Sequence, residues 1–216
     1  MIGPVMIGPS SSHTAGVVRI GRVARKILGE QPAEAVITFY NSFARTYEGH
    51  GSDRAILAGL LDYKTDDERI RGALEEAEKA NLRYTFKSIG NASVFHPNTI
   101  KLELKAGDKV VEVVGESLGG GVINIPTYNG FTANFSAALH TLIITAKDVK
   151  GSIAFISSVL ANDKCNIGTM SVSRKGRNDV ACLVIEMDSG IQPIVKEYLK
   201  HLDWVLEVIY IPDIDF

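Results

Sequence analysis

Cysteine is almost missing from this 216-residue chain: Cys165 and Cys182 are the only two. Two thiols cannot build a disulfide framework, and a cysteine-ligated zinc site or iron–sulfur cluster needs more of them. Both fall in apolar, strand-like runs, the setting of reduced core thiols, so the protein is expected to be cytoplasmic. No apolar run reaches about 18 residues, and no basic, apolar, small-residue leader precedes the first motif, so neither a spanning helix nor a secretory signal is expected. Charge of one sign is also lacking. With 23 Lys+Arg against 25 Asp+Glu the formal net charge is −2, and neither nucleic acid nor membrane is an expected partner. The first motif begins so close to Met1 that a shortened N-terminus is an expectation. What is present, 45% hydrophobic and 22% charged residues, is an ordinary globular composition, and the length suits two modest domains.

After the Ser/Gly/Pro opening, AGVVRIGRVARKIL puts Val17, Ile20, Val23, Ala24, Ile27 and Leu28 on one helical face, with Arg19, Arg22, Arg25 and Lys26 largely opposite. Gly29 supplies a stop, and AVITFY at 35–40 suits a buried strand. GHGSD follows, with Ser52 or Asp53 placed to cap a helix RAILAGLL. Thr65 and Glu68 have capping-box spacing for another helix, which Asn81 ends. From residue 84 the period changes to two, through YTFKSIG, TIKLELKAG and KVVEVVGES, with a hairpin turn at 106–108 and a break at Gly119, Gly120 and Gly121 before VINIPTY. The stretch 129–139 is poor in pattern and reads as a linker, which divides the chain into domains 1–137 and 138–216. The tail runs strand HTLIITA, helix SIAFISSVLAN, strand NIGTMSVSR, strand DVACLVIEMD, helix IQPIVKEYLKHL, strand VLEVIYI. That is the β-α-β-β-α-β order of a ferredoxin-like unit, with Gly151 opening its first helix and Gly176-Arg177-Asn178 turning its central hairpin. The fold class is therefore α+β: an N-terminal α/β domain followed by a ferredoxin-like domain.

IGPSSSHTAG at 7–16 precedes a helix, whose first N–H groups point at whatever lies ahead of them. Ser10, Ser11, Ser12 and Thr14 fit two roles there: cradling an anion such as an amino-acid carboxylate, or capping the helix. His13 lies in this loop and His50 just before the next helix. Two imidazoles at neighbouring helix starts can move protons near neutral pH, and each can equally be a structural hydrogen-bonder. Their spacing matches no metal motif and no cysteine or carboxylate cluster joins them, so no metal is expected on this chain. His96, followed by Pro97 and Asn98, suits a turn.

The strings IGPSSSHT, then GHGSD after Tyr40-Asn41-Ser42-Phe43-Ala44, then HPN at 96–98 and Ser117 with its glycine triplet, occur in this order over nearly the whole chain. In this they resemble the β part of bacterial iron–sulfur L-serine dehydratases, with Ser52 standing where that family commonly has Thr. The resemblance implies a cysteine-bearing α subunit that holds a [4Fe–4S] cluster, L-serine as substrate, and α,β-elimination to pyruvate and ammonia. It also implies His13 and His50 as catalytic groups, with Ser10, Ser11, Ser12, Thr14, Ser52 and Asp53 around the substrate. The N-terminal domain is also similar to the allosteric substrate-binding domain of some phosphoglycerate dehydrogenases, which implies the alternative of a non-catalytic effector-binding or amino-acid-sensing protein. In the tail, Asp148 to Ile153, Asn166-Ile167 with Met170, and Glu186 resemble an ACT domain. That likeness implies a regulatory amino-acid site at Gly151, Asn166 and Ile167 and homodimerisation, although Lys150 stands where such domains usually have Pro.

Overall fold

A computed structural model describes residues 12–92, 94–176 and 179–214, with Ser12 and His13 described by backbone alone. Contacts divide the chain into one unit ending at Gly130 and another running from Phe131 to Asp215. The first holds a π-helical turn at Ser12–Gly16, then α1 (Val17–Leu28), β1 (Glu34–Tyr40), α2 (Asn41–Thr46), α3 (Ser52–Leu60), a 3-10 turn at Glu68–Gly72, α4 (Ala73–Lys79), β2 (Arg83–Ile89), β3 (Thr99–Ala106), β4 (Lys109–Gly119) and β5 (Val122–Tyr128). Its strands lie in the order β2-β1-β3-β4-β5, with β1 and β2 parallel and the remaining pairs antiparallel.

The apolar stripe foreseen on α1 is buried throughout, from Val17 to Leu28. Arg19 departs from its expected solvent side and is buried too, because α1 is walled by β3, β4 and β5 on one side and α3 on another. Its Nη1 donates to the Gly121 carbonyl at 2.7 Å. The α1–α3 crossing depends on two residues without side chains. A Cβ on Gly59 would lie 2.2 Å from the Val18 carbonyl oxygen, and one on Gly21 would lie 2.8 Å from that of Ile56. The far end of the crossing is tied by Asp62, which accepts from Lys26 Nζ at 2.9 Å and Arg22 Nε at 3.2 Å. Burial pushes the Asp62 carboxyl up, but these two cations together outweigh it and hold it below the usual carboxylate range.

Capping differs from expectation in two places. Gly51, at φ 74°, is the N-cap of α3, and neither Ser52 nor Asp53 caps it, since both already lie inside the helix. The Thr65–Glu68 capping box does not form: Asp67 caps the 3-10 turn by accepting from Arg69 N at 2.9 Å, while Thr65 is buried.

The second unit holds β6 (Phe131–Phe135), β7 (His140–Lys147), α5 (Ser152–Asn162), β8 (Ile167–Arg174), β9 (Val180–Met187), α6 (Pro193–Lys200) and β10 (Val205–Ile211). From β7 onward this is the ferredoxin-like unit, with strand order β10-β7-β9-β8 and every pair antiparallel. Leu142, Ile144, Leu183 and Ile185 from the sheet meet Ile156, Leu160 and Leu199 from the helices in its core. Arg177 and Asn178 of the expected hairpin turn lie outside the described residues.

Residues 129–139 are not the linker that weak patterning suggested. Asn129 and Gly130 take φ 47° and 75°, the Asn-Gly signature of a tight hairpin turn, and β6 follows with Phe131, Ala133 and Phe135 buried in alternation. Thr132 N donates to Ser173 Oγ and Ser171 Oγ to the Ala133 carbonyl, each at 3.2 Å. The buried Glu186 carboxylate collects Ser136 N at 3.0 Å, Ser136 Oγ at 2.8 Å and Thr169 Oγ1 at 3.0 Å. These bonds draw residues 131–136 into the second unit, ahead of the expected boundary at 137.

An alanine in an open helical position is stabilising relative to glycine by roughly 1 kcal/mol. Gly59→Ala is expected to do the opposite and destabilise by about 1–3 kcal/mol through overpacking, read as a lowered Tm. An unchanged or raised Tm would show that α1 and α3 do not need backbone contact there.

Candidate active site

The quoted motifs gather at one end of the first unit's sheet. Phe39 near the end of β1 pairs with Ile100, Thr99 at the start of β3 pairs with Glu116, and Ser117 near the end of β4 pairs with Ile123. The chain therefore leaves β1 into Asn41-Ser42-Phe43, enters β3 from His96-Pro97-Asn98 and leaves β4 through Ser117 at the same edge.

Hydrogen bonds join these segments. Asn41, held at φ 53°, sends Nδ2 to the carbonyls of Ala92 at 2.9 Å and Phe95 at 3.1 Å, and its Oδ1 accepts from Ala92 N at 2.7 Å. Ser42 N donates to the Pro97 carbonyl at 2.9 Å. His96 Nδ1 accepts from Asn98 N at 3.2 Å and its carbonyl accepts from Thr99 Oγ1 at 2.8 Å, so this histidine fixes the turn as expected. Asn98 and Ser117 exchange backbone and amide bonds: Ser117 N to the Asn98 carbonyl at 3.0 Å, Asn98 Nδ2 to the Ser117 carbonyl at 3.4 Å. Neither Asn41 nor Ser117 stood out as a functional residue by type. An asparagine directly after a strand was the available signal for Asn41, because asparagine tolerates positive φ.

The His13 loop is helical rather than open. Residues Ser12–Gly16 form a π-helical turn continuous with α1, and Gly16 has helical φ −62° and ψ −40° with no side-chain cap at that junction. The α1 N-terminus therefore does not present free N–H groups at Gly16, because the π-helical turn precedes it. Such π-helical turns often occur at functional sites. The turn packs against α3, β4 and β5. Its closest approach is at Gly16, where a Cβ would fall 2.1 Å from Ser117 Oγ and 2.9 Å from Ser117 Cβ. Thr14 is completely buried and its Oγ1 has no hydrogen-bond partner among the described residues. Ser10 and Ser11 lie outside the described residues, and Ser12 and His13 are placed by their backbone in the π-helical turn.

His50 stands in the turn between α2 and α3, with its N–H donating to the Thr46 carbonyl at 2.9 Å and its side chain half-buried. The positive φ of Gly51 lets the chain reverse directly into α3. Ser52 is fully buried and its N–H donates to the Tyr47 carbonyl at 2.8 Å. Asp53 lies in the first turn of α3, where its Oδ1 accepts from Arg54 N at 2.8 Å. Burial pushes the Asp53 carboxyl up, partly offset by that N–H and by the Arg54 charge. Since the π-helical turn bearing Thr14 packs on the helix bearing Ser52 and Asp53, both motif strings share one wall of the unit.

In the second unit, Gly151 is the N-cap of α5 at φ 83° and lines a shallow hollow of about 200 Å³ with Lys150, Phe155 and Trp204. Asn166 Nδ2 donates to Asp188 Oδ2 at 2.6 Å, and Ile167 pairs with Met187 at the start of β8. Gly151 and the Asn166-Ile167 pair therefore sit at opposite ends of α5, whose 11 residues span about 16 Å. No group of three or more His, Cys, Asp or Glu able to hold a metal occurs among the described residues. Cys165 and Cys182 are both buried in this unit, and burial raises both thiols, Cys182 to about 11. Thiols in that state are poor metal ligands. The residues present do not fit an iron–sulfur cluster.

The class is thus a two-unit α+β protein in which serine-, threonine- and histidine-bearing turns meet at one sheet end and a ferredoxin-like module follows. Residues 2–126 match the family "Serine dehydratase beta chain", and the chain belongs to it. It is 43% identical to the "Probable L-serine dehydratase, beta chain" of Bacillus subtilis, over 99% of this chain and 96% of that one. It is 33% identical to the "L-serine dehydratase, beta chain" of Peptoniphilus asaccharolyticus, over 94% and 92%. "L-serine dehydratase 2" of Escherichia coli is 31% identical over 54% of this chain, a match that spans only 31% of that longer protein.

The Gly16–Ser117 contact offers a direct check. Gly16→Ala is expected to lower the Tm by overpacking, at a cost of about 1–3 kcal/mol. Adding Ser117→Gly removes both colliding atoms and is expected to recover part of that loss in a double-mutant cycle. Strictly additive effects would mean that the two residues do not share the contact.

Proposed function

We propose that this chain is the β subunit of an L-serine dehydratase, an L-serine ammonia-lyase that acts in the cytoplasm with a cysteine-bearing α subunit. Membership of the family over nearly the full length of two β-chain relatives carries this reading. The α subunit holds the [4Fe–4S] cluster, because this chain offers two buried, poorly ionised thiols and no ligand group among its described residues. The match spans only 31% of the longer Escherichia coli relative, which supports a second component of that kind.

In the reaction L-serine loses its Cα proton and its hydroxyl as water, leaving aminoacrylate, which tautomerises to the imine and hydrolyses to pyruvate and ammonia. This chain contributes the proton-transfer groups His13 and His50, one acting as base and the other as proton donor. The hydroxyls of Ser10, Ser11, Ser12, Thr14 and Ser52, with Asp53, bind and orient the substrate. The buried Thr14 Oγ1 with no described partner supports that role, since a buried hydroxyl costs free energy until something pairs with it. The second unit serves as an ACT-like regulatory module with Gly151, Asn166 and Ile167 at its ligand sites, and homodimerises. A two-histidine site favours this reading over a purely effector-binding protein, which has no use for paired proton carriers.

Two outcomes are expected. Purified alone, the chain contains no stoichiometric iron and forms no pyruvate from L-serine, whereas iron or turnover in that preparation would defeat the division of labour. In the assembled complex, His13→Ala or His50→Ala lowers kcat by about 10²-fold or more with the cluster absorbance retained. Normal turnover with a lowered Tm would instead mark that histidine as a packing residue.

A further inference from the structure

The connection from β2 to β3 has to cross the end of β1. Tyr40, the last residue of β1, pairs with Ile89 of β2 on one side, and Phe39 pairs with Ile100 of β3 on the other. At that crossing the chain leaves β1 and turns at once into α2. With only six residues, α2 is too short to hold itself as a helix, so whatever packs against it sets its place.

The crossing chain supplies that support. The Pro97 carbonyl accepts from Ser42 N at 2.9 Å and Phe43 N at 3.4 Å, two N–H groups of the kind that a helix start leaves without an internal partner. The Phe95 ring lies 4.7 Å from that of Tyr40, and Arg45 Nη1 donates to the Gly90 carbonyl at 3.4 Å. Asn41 fastens the crossing itself. Its Nδ2 donates to the carbonyls of Ala92, Phe95 and, at 3.4 Å, His96, while its Oδ1 accepts from Ala92 N. Few residue types can do this at φ 53°. Glycine takes the angle but has no amide, and aspartate would set a carboxylate against three carbonyl oxygens.

At its other end α2 runs directly into the GHGSD string. His50 N donates to the Thr46 carbonyl at 2.9 Å and Ser52 N to the Tyr47 carbonyl at 2.8 Å, so the His50 backbone hangs from the last turn of α2. The Tyr47 ring stacks on Phe39 with centroids 4.6 Å apart, which fixes that turn against β1.

We propose that Asn41 is a positioning residue for His50: by pegging the β2–β3 crossing onto α2, it sets where the imidazole stands. This rests on the proton-transfer role given to His50 above, and Asn41 acts on the reaction only through that histidine. A catalytic group displaced by roughly 1 Å can lose on the order of 10²-fold in rate, so a peg two turns away has leverage on turnover.

Asn41→Asp and Asn41→Gly both accept the left-handed backbone and both remove the amide; the glycine variant adds no charge and guards against a failure to fold. In the full chain, amide hydrogen exchange at residues 42–50 is expected to speed up by at least about 10-fold in either variant, with α1 and the second unit unchanged. The titration of the His50 imidazole followed by NMR is expected to shift, while those of His140 and His201 stay put. In the α–β complex, kcat is expected to fall by roughly 10-fold or more with KM held within about 2-fold. Unchanged exchange at 42–50, faster exchange spread evenly over the first unit, or an unchanged kcat would each overturn the assignment. If the unmodified complex does not turn over L-serine, or His50→Ala keeps a normal kcat, the catalytic role of His50 falls. Exchange and imidazole titration then still decide whether Asn41 places that histidine.

Discussion

Backbone contact between α1 and α3 at Gly21 and Gly59 is the constraint on which the first unit rests. Helices packed through ordinary side chains stay 8–10 Å apart; a missing Cβ on both sides lets them close further. That approach brings the π-helical turn ahead of α1 against α3, so the two histidine-bearing strings depend on a contact that neither of them makes. Asp62, bridging Lys26 and Arg22, holds the far end of the same crossing.

Around this crossing the end of the sheet is closed by a chain of hydrogen bonds. Asn41 ties residues 92–95 to the end of β1, Asn98 and Ser117 tie β3 to β4, and Ser117 abuts Gly16. Each bond joins residues far apart in sequence at one end of the sheet. The chain's own two thiols are buried in the second unit, and no group of three or more His, Cys, Asp or Glu able to hold a metal occurs among the described residues.

In the second unit, Ser171 and Ser173 of β8 reach β6 through their side chains, and the buried Glu186 carboxylate gathers Ser136 and Thr169. Its exposed large apolar side chains include Ile153 and Phe155 on α5 and Ile194 and Tyr198 on α6.

Much of this was legible in the order of residues alone. The 3.6-residue stripe of α1, the two-residue period from 84 onward and the β-α-β-β-α-β tail follow from local periodicity, and local periodicity survives folding because it is what a core selects. The motif strings likewise pointed to the family before any geometry was known. Tertiary structure alone decided the rest. Arg19 is buried because α3 and the strands β3 to β5 wall the helix and the Gly121 carbonyl between β4 and β5 receives its guanidinium, and Gly51 rather than Ser52 caps α3 because the chain arrives there in a left-handed turn. Residues 131–135 form a strand despite their weak pattern, and Ser171, Ser173 and Glu186, roughly forty to fifty residues away, hold Ala133, Thr132 and Ser136. Layer contacts, caps and long-range pairing are set by partners distant in sequence, and a pattern read along the chain holds no term for them.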